Sequence, residues 1–166
     1  MDYIIRNAKI EDCETLAILK LKIWKQVYVD IYPKWKFDNY DIESNKEKFI
    51  SIINNSNIKL LVVEIDGKIM GYMSYGEPYR KFLDYRQEIG LLYLDQDYPK
   101  MGIGKKLFNI AYQDIMSKYD EFFISCNKYN MNARKFYEKM GGKIIHIDED
   151  NEEDKSLVQV KYLYTK

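Results

Sequence analysis

Apolar and polar residues alternate along this chain with two different periods, and together they predict a mixture of strands and helices. Strand-like segments, with a period near two or a short apolar run, cover residues 1–6, 59–65, 68–75, 88–94, 122–126, 143–147 and 157–164. Helix-like segments, with apolar residues three and four apart, follow Asp12 and cover residues 42–54, 103–118 and 130–140. The predicted order of elements is β-α-α-β-β-β-α-β-α-β-β.

Turn and capping residues mark the ends of these segments. Asp66-Gly67 predicts a tight hairpin turn, because both residues tolerate left-handed backbone angles. Asp12 is a suitable N-cap for the first helix. Pro33 is expected to end the regular structure that this helix begins. Gly141, followed by a second glycine, ends the last helix.

No repeat, low-complexity tract or linker interrupts the pattern, so residues 1–166 are expected to form a single α/β domain with a mixed sheet. Hydrophobic residues make up 46% and charged residues 31% of the chain, a composition typical of a globular protein. Lys plus Arg and Asp plus Glu both number 26, so no overall basic field exists to attract a nucleic acid.

Two cysteines, Cys13 and Cys126, are too few for a disulfide-built fold, and no metal-ligand spacing is present. The N-terminus lacks the basic segment and apolar run of a signal peptide. No stretch approaches the roughly 20 apolar residues that span a bilayer. We therefore expect a soluble cytoplasmic protein with no metal, no nucleic-acid partner and no membrane partner.

The most informative segment joins a strand to a helix through Gly102-Ile103-Gly104. The first N–H groups of a helix have no intrahelical partner and carry partial positive charge, and glycines let an anion approach them. Lys105 and Lys106 add charge to the first turn. Taken alone, this pattern fits a tight turn as well as a phosphate site. It lacks the Gly-x-x-x-x-Gly-Lys-Ser/Thr loop of nucleotide hydrolases and the third glycine of dinucleotide-binding folds.

A second motif, NKYNMNARKFYEKMGG, follows about 25 residues later, after one strand. Together the two segments resemble the GNAT N-acetyltransferase superfamily. In that family a (Gln/Arg)-x-x-Gly-x-Gly/Ala loop binds the CoA pyrophosphate, and an Asn-x-x-Ala-x-x-Phe/Leu-Tyr-Glu-Lys-x-Gly-Phe segment flanks the CoA thiol. The residues that match the second motif at the family spacing are Asn130, Ala133, Phe136, Tyr137, Glu138, Lys139 and Gly141. The resemblance implies a GNAT-like domain, with a mostly antiparallel central sheet flanked by helices and with splayed central strands.

The resemblance also implies a function and a set of site residues. The chain would transfer an acetyl group from its cosubstrate acetyl-CoA to a primary amine, by direct attack within a ternary complex. Tyr137 would be the general acid that protonates the departing thiolate, and Asn130, Ala133 and Phe136 would contact the cofactor. The pantetheine arm would pair with the backbone of one strand, and the pyrophosphate would lie on the glycine loop. The strand residues are Leu92, Tyr93 and Leu94. The loop residues are Lys100, Met101, Gly102, Ile103, Gly104 and Lys105.

Two positions depart from the family pattern. Pro99 stands where the loop usually has Gln or Arg, and it removes one N–H, so weaker or differently shaped cofactor binding is expected. Gly142 replaces the usual Phe, which is expected to thin the packing behind the last helix.

The general base is the least determined residue. Glu88 lies at the start of the central strand, near the expected acceptor cleft, and it is our first candidate. A solvated strand-end carboxylate is the alternative for Glu88, and a core aromatic is the alternative for Tyr137. Cys126 is interpreted as a buried structural thiol and His146 as an ordinary strand residue.

The acceptor would be an amine-bearing small molecule or peptide. Trp24, Tyr28, Tyr32 and Trp35 are candidates for lining its pocket, with a core role as the alternative at least for Trp24 and Tyr28. The acidic run at 148–154 is either an attractant for a cationic amine or a solvated loop.

Two rival functions stay open. Pro99 favours a non-catalytic acyl-CoA-binding or sensor domain of the same fold. The aromatic N-terminal half leaves room for a protein-interaction module. The resemblance alone leaves a homodimer open.

Overall fold

The computed structural model describes residues 2–148 and 154–166. Its helices and strands follow the order β1 (Ile4–Asn7), α1 (Cys13–Val27), α2 (Lys34–Asp38), α3 (Ile42–Asn54), β2 (Ile58–Ile65), β3 (Lys68–Gly76), β4 (Glu88–Leu94), α4 (Ile103–Met116), β5 (Glu121–Asn127), α5 (Met131–Lys139), β6 (Lys143–Ile147) and β7 (Gln159–Thr165). Short 3-10 turns occupy Ile10–Asp12 and Lys155–Leu157. The acidic loop predicted between the last two strands falls mainly on residues 149–153, which lie outside the described residues.

The seven strands form one sheet in the order β1-β2-β3-β4-β5-β7-β6. Every neighbouring pair is antiparallel except β4 and β5, which run parallel. The predicted α/β fold with a mixed, mostly antiparallel sheet flanked by helices is therefore confirmed.

Helices cover both faces of the sheet because side chains alternate along each strand. On one face, Leu16 of α1 and Phe49 of α3 pack against Val62 of β2 and Tyr72 of β3. On the other face, α4 buries the apolar stripe that its periodicity predicted, and it packs against Val63 and Met73 among others. The members of that stripe are Ile103, Leu107, Ala111 and Ile115.

The hairpin between β2 and β3 turns at Asp66 and Gly67, as predicted. Their φ angles are 52° and 77°, the left-handed values that a tight hairpin turn requires at both central residues. The register runs from Ile65 opposite Lys68 to Ile58 opposite Gly76.

Three local expectations were wrong or incomplete. Helix α2, between Pro33 and the next helix, was not predicted, because five residues are too few to show a helical period. Asp12 does not cap α1 with its side chain: Oδ2 accepts from the Lys9 backbone N–H at 2.7 Å and pairs with Arg6 at 2.8 Å.

Packing at Gly142 also differs from the expectation. A Cβ there would lie 2.6 Å from the Tyr164 hydroxyl, so Tyr164 already fills the space that a larger residue would take. The Tyr164 hydroxyl donates a hydrogen bond to the Tyr137 carbonyl oxygen, so the packing behind α5 is tight rather than thin.

In the described parts of the chain, none of the helices combines the length and the apolar character needed to cross a membrane.

Candidate active site

A cleft opens in the middle of the sheet, where β4 and β5 separate. These parallel strands pair only through Glu88 with Phe123 and Ile89 with Ile124. Beyond Ile89, β4 remains paired to β3, whereas its other edge faces a cleft of about 1050 Å³. An extended ligand can pair with the backbone of this open edge, as another strand would. At its far end, the Leu94 carbonyl oxygen already accepts from Gln96 Nε2 at 2.8 Å.

A β-bulge lies at the point where the strands separate. The β3–β4 register shifts there: Ser74 faces Leu91 but Tyr75 faces Ile89, which leaves Gly90 unmatched. Bulges redirect the strand next to many active sites. A Cβ at Gly90 would lie 3.1 Å from Ser74 Oγ and 3.3 Å from Glu88 Oε1, so the bulge lies against the Glu88 carboxyl group.

Glu88 lies at the closed end of the cleft and is only 8% exposed. Burial raises the pKa of its carboxyl group to about 7, and the charge of Lys161 on β7 partly opposes this rise. A carboxyl group with that pKa exchanges a proton readily near neutral pH. The interpretation of Glu88 as a solvated strand-end carboxylate is wrong.

Lys161 is held beside Glu88 by Ser125 of β5 and by Asp148, which directly follows β6. Its Nζ lies 3.3 Å from Asp148 Oδ2 and donates to Ser125 Oγ at 3.1 Å. The other Asp148 oxygen, Oδ1, lies 2.7 Å from His146 Nε2. His146 belongs to β6, as the strand interpretation predicted.

The glycine loop places the N-terminus of α4 at the edge of the cleft. Gly102 takes a φ of 73° at the N-cap, and Lys106 is the first residue whose N–H bonds back to it. The amides of Ile103, Gly104 and Lys105 therefore have no intrahelical acceptor, and they carry the positive end of the helix dipole. This arrangement suits a phosphate group.

Side chains of the loop contribute differently from its backbone. Ile103 is buried in the core, so only its amide is available to a ligand. Lys100 and Lys105 are exposed, and Met101 packs partly on the core. Gly104 belongs to the cleft wall, and a Cβ at Gly104 would contact Leu94 and Phe136 at an ordinary 3.7 Å.

Tyr137 enters the cleft from α5 and is 7% exposed. Burial raises the pKa of its phenol, so the hydroxyl keeps its proton at neutral pH. No hydrogen bond fixes this hydroxyl to another group within residues 2–148 and 154–166. A protonated phenol at this position can donate to a ligand in the cleft, so its buried position and a chemical role are compatible.

Asn130 caps α5 and joins it to α1. Its Oδ1 accepts from the Ala133 amide at 3.2 Å, and its Nδ2 donates to the Tyr28 hydroxyl at 3.3 Å. One Nδ2 hydrogen is left over for a ligand. Tyr28 in turn stacks on Tyr32 with ring centroids 4.1 Å apart. Asn130 therefore connects α5 to the aromatic side chains that follow α1.

The structure brings most of the predicted site residues to one cleft. Glu88 and Tyr137 both line it, from β4 and α5. So do the predicted cofactor residues Leu92, Tyr93, Leu94, Gly104, Asn130, Ala133 and Phe136 and the predicted acceptor residues Trp24, Tyr28, Tyr32 and Trp35. Five predicted cofactor residues lie outside the lining of the cleft: Lys100, Met101 and Gly102 in the loop before α4, and Ile103 and Lys105 in its first turn.

Sequence reasoning missed three contributors to the site: Ser74, the Gly90 bulge and Lys161. A glycine inside the apolar run EIGLLYL was the available signal for the bulge. Cys126 also lines the cleft, but burial raises the pKa of its thiol to about 12, which makes it inert as a nucleophile and supports its structural interpretation.

Solved structures share this architecture. PaiA N-acetyltransferase from Thermoplasma acidophilum, solved in complex with coenzyme A, superposes with a TM-score of 0.81 and 26% identity over the full length of both chains. Ribosomal-protein-alanine N-acetyltransferase from Brucella melitensis gives a TM-score of 0.74 with 19% identity, covering 98% of this chain and 99% of that one. The yncA protein from Salmonella typhimurium, solved with its cofactor acetyl-CoA, gives 0.71 with 16% identity over 98% and 93% of the two chains.

Among curated proteins the sequence has no match. The sequence model of the acetyltransferase (GNAT) family matches residues 22–142, which include β4, the glycine loop and α5. This match covers well over half of the chain and both motifs. The chain belongs to the acetyltransferase (GNAT) family.

Proposed function

We propose that this protein is an N-acetyltransferase that moves the acetyl group of acetyl-CoA to a primary amine within a ternary complex. The observation that carries the proposal is the position of Glu88, a buried carboxyl group with a pKa of about 7, at the closed end of the cleft between β4 and β5. Family membership supplies the acyl-transfer chemistry, and Glu88 supplies the group that an amine acceptor needs.

Cofactor binding would use the open edge of β4 and the first turn of α4. The pantetheine arm would pair with the backbone of Leu92, Tyr93 and Leu94, and the pyrophosphate would lie on the amides of Ile103, Gly104 and Lys105. PaiA, which is 26% identical and was solved with coenzyme A, supports CoA as the cosubstrate. Asn130, Ala133 and Phe136 would complete the wall beside the thiol.

The proposed chemistry uses three groups of the cleft: a base, an oxyanion donor and an acid. An alkylamine with a pKa near 10.4 costs roughly 4 to 5 kcal/mol to deprotonate at pH 7, and only the neutral amine attacks a thioester. Glu88 would accept that proton, directly or through water. A backbone N–H on the open edge of β4 would stabilise the tetrahedral oxyanion. The C–S bond then breaks, and Tyr137 would donate its proton to the CoA thiolate.

The alternative function is a non-catalytic acyl-CoA sensor. Pro99 favours it, because this exposed proline stands where the loop usually has Gln or Arg. A sensor gains nothing from a buried carboxyl group at the closed end of the cleft, because burying Glu88 there destabilises the fold. The enzyme hypothesis explains why Glu88 is buried in the cleft, and the sensor hypothesis does not.

Calorimetric titration with acetyl-CoA and with CoA tests the cofactor site. Micromolar binding is expected, and Gly104→Glu should abolish it by placing a carboxylate among the amides that face the pyrophosphate. Gly104→Ala is the matched control, because a Cβ fits there at 3.7 Å and binding should persist. Equal binding by the Glu variant would overturn the assignment of the glycine loop.

Turnover is tested by following thiol release over a panel of amine acceptors. Tyr137→Phe should lower kcat by about 100-fold or more, the usual contribution of a positioned proton donor, and leave the affinity for CoA unchanged. Tight acetyl-CoA binding with no turnover of any amine would favour the sensor.

A further inference from the structure

The acceptor end of the cleft carries an excess of cationic side chains. Of the charged residues that line the described cleft, five are basic and two are acidic. They are Lys20, Lys36, Lys48, Arg80 and Lys161 against Glu77 and Glu88. Lys161 is balanced by Asp148 at 3.3 Å. Of the other basic residues, Lys20, Lys36 and Lys48 belong to the helices α1, α2 and α3, and Arg80 lies between β3 and β4. An acceptor that carried only positive charge would be repelled there.

A side pocket of about 230 Å³ extends the cleft between these three helices. Lys20, Lys36 and Lys48 line both the cleft and the side pocket, together with the two tryptophans Trp24 and Trp35. Asp41 is the acidic residue on the described wall of the side pocket, and its carboxylate already caps α3 by accepting from the Ser44 amide at 2.8 Å. The pocket therefore presents mainly donors to a ligand.

Lys20 is the central group of this pocket. Its Nζ donates to the neutral Asn45 Oδ1 at 2.8 Å and lies 5.0 Å from the centroid of the Trp24 ring. No carboxylate pairs with it in the described parts of the chain. Burial, and then the charges of Lys48 and Lys36, lower the pKa of its ammonium group to about 8. Lys20 is half-buried, and an ammonium group in a cleft with no carboxylate beside it suits an anionic ligand.

Trp24 supplies a second donor of the same kind. Its Nε1 is buried and has no acceptor within the described residues. A buried donor left without an acceptor costs roughly 1 to 3 kcal/mol, a cost that an acceptor atom of a ligand would remove. Lys20 and Trp24 are one turn apart on α1, and both belong to the wall of the side pocket.

We infer that the acceptor is an amine that also carries an anionic group, with the amine at Glu88 and the anion in the side pocket of Lys20, Lys48 and Trp24. This inference rests on the proposed function and names its substrate class. A carboxylate and a phosphate share the chemistry that the pocket recognises, because both accept several hydrogen bonds from cationic and neutral donors. A polyamine does not fit the inferred class.

The experiment measures binding and turnover separately, using the whole protein saturated with CoA or acetyl-CoA. The acceptors are ω-amino carboxylates of increasing chain length, their carboxamides, aminoalkyl phosphates and diamines of the same lengths. Calorimetry on the CoA complex reports acceptor binding without chemistry, and thiol release from acetyl-CoA reports turnover. The anionic amines should bind and react at least 10-fold better than the carboxamides and diamines, and the better of the two anionic series identifies the anion.

Substitutions locate the effect in the side pocket. Lys20→Met and Lys48→Met should each lower the affinity for the anionic amines by about 10-fold or more, as expected for the loss of a charged hydrogen bond, and leave the carboxamides unchanged. Lys25→Met, on the same helix as Lys20 but exposed and outside both cavities, is the control and should change nothing. Lys20→Met removes a half-buried charge that has no carboxylate partner in the described residues, so the variant should fold.

The outcomes separate the two proposals. Selective binding of anionic amines without turnover would support the side pocket and overturn the enzyme. Turnover with no preference for anionic amines, or with diamines preferred, would overturn the side pocket and leave the enzyme intact.

Discussion

Glu88 is buried and is also the proposed general base, so its pKa should be visible both in the kinetics and in the stability of the protein. A general base must be deprotonated to act, so kcat/KM should fall as the pH drops below about 7, the pKa to which burial raises this carboxyl group. Glu88→Gln removes the base, so we expect kcat/KM to fall by about 100-fold or more and the acidic limb of its pH profile to disappear. An unchanged limb in the Gln variant would assign the base to another group.

The same variant should be more stable than the natural protein above neutral pH. The folded-state pKa of Glu88, about 7, exceeds its ordinary value of 4.5, so the folded state loses stability as the pH rises from 4.5 to 7. A shift of that size corresponds to about 3 kcal/mol. Denaturant unfolding should show Glu88→Gln to be more stable by up to this amount at pH 8, with no advantage at pH 4. Equal stability at pH 8 would mean that Glu88 is solvated.

The sequence identified Glu88 as a candidate but left open whether its carboxyl group is buried or solvated. Position in a strand does not reveal depth, because the burial of Glu88 depends on β5 and β7, which follow far along the chain. Lys161 was invisible for the same reason. Tyr137 was easier to propose, since Asn130 and Gly141 belong with it to one local motif at fixed spacing, and its role stays a prediction.

At the scale of elements, periodicity predicted every strand and all helices except α2 and the short 3-10 turns. Helix α4 was located from its apolar stripe, and the β2–β3 hairpin from Asp66 and Gly67. The separation of β4 from β5 came only through the family resemblance. The run EIGLLYL contains no signal that β4 stops pairing with β5 after Ile89, because the end of this pairing depends on the position of β5.

The loop before α4 is the element on which cofactor affinity should depend most. Pro99 lacks an N–H and a polar side chain at a position where Gln or Arg is usual, so Pro99→Gln should tighten acetyl-CoA binding about 3- to 10-fold, the contribution of one added hydrogen bond. Pro99→Ala, which restores the N–H alone, separates the two contributions in calorimetry. No gain from either change would mean that the amides of Ile103, Gly104 and Lys105 already provide the whole cradle.

At the scale of the whole molecule, the sheet consists of two parts joined at a narrow point. Strands β1 to β4 and strands β5 to β7 share only two residue pairs, Glu88 with Phe123 and Ile89 with Ile124. A cofactor that pairs with β4 and contacts α5 would bridge these parts. The folded state alone offers this site, so binding must stabilise it.

Acetyl-CoA at 100 times its Kd should add about 2.7 kcal/mol to the free energy of unfolding. For a chain of this length, that gain should raise the Tm by about 5 to 10 °C. Hydrogen exchange should slow most in β4 beyond Ile89 and in the first turn of α4, where free amides gain acceptors. Gly104→Ala should keep the shift in Tm, and Gly104→Glu should lose it. A shift of equal size in the Glu variant, or protection confined to the distant hairpin of Asp66 and Gly67, would show that the cofactor binds outside the cleft.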